Sequence, residues 1–119
     1  MLDSRPLIGA IALALLLAAC VAAQKESLPT PVSGGVSFTL SAPKAKSVAL
    51  VGSFNGWSPT AHPMQPAGSN GLWRAVVPLA EGEHTFMFLV DGTEWIAPPL
   101  AEDFVTDGFG NTNGIVVKR

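Results

Sequence analysis

Cysteine is nearly missing from this chain. A single one among 119 residues rules out an internal disulfide. Charge is scarce too, at 13% of residues with a formal net charge of −2, and this slight acidity argues against nucleic acid, which would want a basic face. No apolar repeat of helical period occurs past the N-terminal run. "GSFNG" (Gly52 to Gly56) lacks the lysine and the following helix of a phosphate loop. His62 precedes a proline and His84 opens a strand, so neither has a partner at metal-ligand spacing. The acids offer no facing pair for glycoside chemistry. Glu81 and Glu83 fall in a turn, and Glu102, Asp103 and Asp107 fall in a loop, which reads as solvated rim. A domain this small also lacks a catalyst's deep pocket. These shortages point to one small domain that is no enzyme and carries no cofactor or metal.

The long apolar run lies at the start. "LIGAIALALLLAAC" (Leu7 to Cys20) follows a short segment with one cation, Arg5. It is marginal for a bilayer span, which needs about 20 residues, and fits the apolar region of a secretory signal. Its last four residues, "LAAC", resemble the lipobox of bacterial lipoproteins, whose cysteine is lipidated and becomes the mature N-terminus. The resemblance implies a signal peptide over 1–19, lipidation at Cys20 and a membrane-held, exported protein. Val21, where some bacteria read an aspartate as an inner-membrane cue, leans towards the outer membrane or cell surface. An ordinary signal peptide or an uncleaved anchor helix are the alternatives. Residues 20–33 read as a flexible tether, because Lys25, Glu26, Pro29 and Pro31 break any period. The folded domain is then expected over 34–119.

That domain is a chain of short strands. "GVSFTL" sends Val36, Phe38 and Leu40 one way, and "EHTFMFLVDG" does the same with His84, Phe86, Phe88 and Val90. Thr85, Met87 and Leu89 take the opposite face. "SVALVGS" is apolar on both sides, as expected of a strand covered on both faces, while "LWRAVVPL" and "NGIVVK" complete the set. Period-two runs bounded by Gly, Pro, Asn and Asp are strand signatures, and a series of them without helices implies an all-β antiparallel sandwich. Phe38, Leu40, Val48, Leu50, Phe86, Phe88 and Val90 form its expected core, joined by Trp73. Asn55-Gly56 and Asp91-Gly92 are dipeptides that accept positive φ at the turns.

Taken in order, "VALVGSFNGWS", "PM", "GLWRAVVPLAEGEHTFMFLVDGTEW" and "DGFGNTNGIVV" resemble the glycogen-binding domain of the AMP-activated protein kinase β subunit. They are equally similar to the N-terminal modules of branching enzymes and isoamylases, carbohydrate-binding module family 48. The resemblance implies an immunoglobulin-like, early-set sandwich and an α-glucan ligand. A pyranose offers an apolar face of C–H groups that stacks on an indole, while its hydroxyls need amides at the rim.

Trp57, set among turn residues, and Trp95, just past "VDGTE", are the candidate stacking rings. Each has a structural alternative, Trp57 as an end cap and Trp95 as an edge-strand packer. The resemblance further implies Phe109 as an apolar clamp and Asn111 and Asn113 as hydrogen bonders. Met87 stands where the kinase domain has a lysine, so that position packs but donates nothing. The leading expectation is an α-glucan-binding lipoprotein on a bacterial membrane. The competing one is an early-set docking module for an envelope protein.

Overall fold

The computed structural model describes residues 25–119. The apolar run and Cys20 lie outside the described residues.

Among the described residues nine strands make up the architecture: β1 (Thr30–Val32), β2 (Gly35–Ser41), β3 (Val48–Gly52), β4 (Gln65–Pro66), β5 (Leu72–Val77), β6 (Gly82–Val90), β7 (Glu94–Ile96), β8 (Asp103–Thr106) and β9 (Thr112–Lys118). One sheet runs β1-β2-β5-β4, and the other runs β3-β6-β9-β8 with β7 also paired to β6. All pairings are antiparallel. Among the described residues no helix is long and apolar enough to cross a membrane.

The two sheets pack face to face because each strand presents alternate apolar residues inward. Val36, Phe38, Leu40 and Val77 come from the first sheet, and Val48, Leu50, Phe86, Phe88, Val90 and Val116 from the second. Phe38 meets Phe86 edge-on at 5.0 Å between ring centroids, and Phe86 meets Phe88 at 5.8 Å. All seven expected core residues lie in the observed core, which adds Val36, Met64, Val77 and Val116. Trp73 packs against it half-buried, donating its indole N–H to the Ala42 carbonyl at 3.0 Å. Val51 is fully buried as well, on the outer side of β3. Both faces of that strand are covered, as its unbroken apolar run foretells.

Two differences from the sequence reading concern edges. The segment read as a tether reaches less far than Ser33. Thr30–Val32 pairs with β2, Glu26 accepts a hydrogen bond from the Ser41 amide, and Ser27 donates its amide to Thr39 Oγ1. Prolines conceal this strand from period counting, yet an edge strand tolerates Pro31 because one side of it needs no donors. The loop "EDFVT" contains β8, whose four residues are all exposed and so carry no alternation. Its pairing with β9 is what makes it a strand.

Asp91 and Gly92 adopt φ of 52° and 73°, the tight hairpin turn expected of that dipeptide. The Asp91 carboxylate reaches across to accept the Ser47 and Lys46 amides, pinning the entry to β3. Those bonds, Ser47 first, hold its pKa below the ordinary 3.8. A depressed folded pKa contributes stability that is complete above the unfolded value and fades as pH falls through the folded one. Asp91→Ala is therefore expected to melt earlier than wild type at neutral pH, with the gap narrowing once pH drops past 3.8. Calorimetry across that range checks it, and a gap that widens on acidification would refute it.

Candidate functional site

The "SFNGW" turn sits where β3 runs out. Gly52 ends the strand under compulsion, since a Cβ there would meet Thr85 O and the Phe54 ring at 2.5 Å. Ser53–Asn55 then forms one 3-10 turn. Phe54 anchors it inward, 5.8 Å from Phe38. Asn55 ties it from within. Its Oδ1 accepts the Gly52 amide, while Nδ2 donates to Leu50 O and His62 Nδ1 at 3.1 and 2.8 Å. With its side chain so engaged, Asn55 stays in the turn. The positive φ expected at Asn55-Gly56 moves one residue on, to Gly56 at 66° and Trp57 at 60°.

A left-handed φ on a bulky aromatic is an uncommon and costly conformation. It persists because the Trp57 amide donates to Gly52 O at 2.9 Å. Beyond it the chain returns along β3, with Leu50 donating to His62 O and Met64 donating to Val48 O, which covers that sheet edge.

Trp95 arrives from the other side of β6. On β7 it pairs with Leu89, so its ring shares the outer face with Leu89 and Met87. In the turn ahead of it the Thr93 amide donates to Val90 O. Asn113 faces the same way from β9, opposite Val105 of β8. Asn111 lies in the loop joining those strands.

Together Trp57, Met87, Trp95, Asp107, Asn111 and Asn113 line a cleft of about 390 Å³ on the outer face of the second sheet. Its floor is the Met87 thioether, only 8% exposed although it points away from the core. Its walls are two indoles, 39% exposed for Trp57 and 49% for Trp95. These two differ in kind from Trp73, whose N–H is satisfied internally. The rim carries amides, and the Asn113 side chain has no hydrogen-bond partner among the described residues. Phe109 stands apart, at the tip of the same loop and 91% exposed, and is not part of the lining.

Asp107 is the lining residue that sequence reading passed over as solvated rim. Its Oδ1 accepts the Phe109 amide at 2.7 Å and the Asn111 amide at 3.2 Å, and its Oδ2 accepts Asn111 Nδ2 at 3.0 Å. The Phe109 bond, then the Asn111 side chain, lower its pKa from the ordinary 3.8. The signal was available in "DGFGN", an aspartate two and four residues ahead of amides it can cap. Elsewhere Glu102 binds Arg119 at 2.6 Å and is also held below its ordinary pKa, chiefly by that contact. Among the described residues no group of three His, Cys, Asp or Glu is placed to hold a metal ion.

The chain shows 39% identity over 70 residues to the 1,4-alpha-glucan branching enzyme GlgB of Mycobacterium ulcerans, 59% of this chain and 10% of that enzyme. It shows 42% over 60 residues to the same enzyme of Corynebacterium glutamicum, 50% of this chain and 8% of that one. For Mycobacterium tuberculosis the figures are 37% over 73 residues, 61% and 10%. The chain thus spans a tenth or less of these curated relatives' length. A family model described as carbohydrate-binding module 48 (isoamylase N-terminal domain) matches residues 23–109. With that match laid over a two-sheet sandwich and its aromatic cleft, the chain belongs to the carbohydrate-binding module 48 (isoamylase N-terminal domain) family.

Proposed function

We propose that this protein is a non-catalytic α-glucan-binding module for glycogen, starch or maltodextrin, held on a bacterial membrane by a lipid at Cys20. The observation that carries the glucan half is the pair of exposed indoles facing one cleft with amides at its rim. An indole face desolvates the C–H face of a pyranose, and the neighbouring amides exchange hydrogen bonds with its hydroxyls. The named relatives branch 1,4-alpha-glucan. The proposal takes that substrate class and leaves out the reaction.

A shallow cleft of this size grips one or two rings, so affinity for short oligosaccharides is modest and polymers gain by offering many sites. Retardation of the protein in native gels containing glycogen or amylopectin tests the reading. Unchanged mobility at every glucan concentration would leave a docking module of the envelope as the better account. Met87 bears on that choice, because it puts a non-donor at the cleft floor. Met87→Lys is expected to strengthen glycogen binding about fivefold, the worth of a net hydrogen bond of ~1 kcal/mol. Titration calorimetry reads it, and a weaker variant would show that the floor is made for packing.

The anchor half stands on "LAAC" behind its apolar run. Cys20→Ser is expected to abolish acyl labelling and shift the protein to the soluble fraction. A variant that stays with membranes would end the lipid proposal without touching the glucan one.

A further inference from the structure

We propose that Asp107 is the positioning and charge-selecting residue of the cleft, fixing its amide rim and restricting it to uncharged glucans. This rests on the glucan reading and names the ligand class more narrowly.

The positioning follows from hydrogen-bond direction. Oδ2 of Asp107 only accepts, so the Asn111 group facing it at 3.0 Å is the amide NH2. Asn111 is thereby turned to offer its carbonyl oxygen elsewhere, as an acceptor for a hydroxyl. Oδ1 meanwhile holds the Phe109 and Asn111 backbone amides, and the Asp107 amide donates to Asn111 O at 3.0 Å. The loop passes through Gly108 and Gly110 at φ of 83° and 94°, so little else restrains it between those bonds.

The selectivity follows from the count of charges. Of the six lining residues Asp107 alone is ionisable, and none of the six is a cation. A neutral pyranose can donate hydroxyls to that carboxylate, whereas a sugar bearing a carboxylate or phosphate brings like charge up to an exposed anion, a repulsion felt most at low salt. Met87 completes the effect, since a lysine there would have offset the anion.

Two ligands and four proteins test this by titration calorimetry at low salt. The ligands are maltoheptaose and its fully C6-oxidised form, in which every ring carries a carboxylate. Wild type is expected to favour maltoheptaose at least tenfold. Asp107→Asn keeps an acceptor for both backbone amides and removes the charge, so that preference is expected to shrink severalfold more than in Glu102→Gln. The latter removes a charge outside the cleft lining. Equal shrinkage in the two variants, or no preference in wild type, overturns the selectivity. Asp107→Ala is expected to weaken maltoheptaose binding about fivefold and to speed hydrogen exchange at the Phe109 and Asn111 amides. Unchanged exchange overturns the positioning, and it does so whether or not sugar binds. If wild type binds neither ligand, the glucan reading and the selectivity fall together, while exchange still decides the positioning.

Discussion

Trp57→Ala is expected to cut affinity for glycogen by about 5- to 150-fold, the 1–3 kcal/mol that a stacked ring contributes. Trp95→Ala should fall in the same range, and the double variant should not bind. The two rings share a cleft that holds one ligand, so their losses need not add. Folding must be separated from contact, and the backbone provides the means. Trp57 is held at a φ of 60°, which costs a β-carbon residue roughly 1–2 kcal/mol and glycine almost nothing. Trp57→Gly is therefore expected to bind no better than Trp57→Ala while unfolding at or above the wild-type temperature. A protein that had used this ring as an end cap would lose stability in both variants, because burying an indole would have outweighed the strain. A marked drop in melting temperature for Trp57→Gly would therefore remove the ring from the binding surface.

Phe38→Ala is expected to destabilise the domain by about 3–5 kcal/mol, as fully buried aromatics do when truncated. Phe38 has no exposure, touches Phe86 at 5.0 Å and supports Phe54 at 5.8 Å. At about 4–8 °C per kcal/mol for a domain this small, the melting temperature should fall by at least ~12 °C. Glycogen binding at a temperature where the variant is still folded should weaken as well. Phe54 anchors the 3-10 turn from which Trp57 projects, so a cavity beneath it loosens the wall of the cleft. Leu40→Ala, equally buried on the same strand, serves as the comparison. Its loss of stability should come without an equivalent loss of binding.

Most of the sandwich could be read from the residues, and the reason is local. Alternation in β2 and β6 is forced by the two-residue repeat of a strand, so Phe38, Phe86 and Phe88 face inward in any sheet that buries one side. The Asp91-Gly92 turn is equally local, since its conformation belongs to the dipeptide. What escaped is what pairing confers. β8 and β1 have no apolar period of their own and become strands only because β9 and β2 present unpaired edges to them. Asn55 looked like a turn residue and proved to be a cross-brace to Leu50 and His62.

The sequence by itself determined the fold class, the core and the identity of the aromatic candidates, because each follows from residue type and spacing along one strand or turn. Having put Trp73 in the core, it could not decide whether the Trp57 and Trp95 rings lie open or pack against the sheet. Tertiary structure did, by giving the Trp73 N–H a carbonyl inside and leaving the Trp57 and Trp95 rings half-exposed over one cleft. It also drew Asp107 from a row of loop acids into that cleft. A side chain's role in a site depends on which neighbours reach it across the sheet, and those neighbours lie far away along the chain.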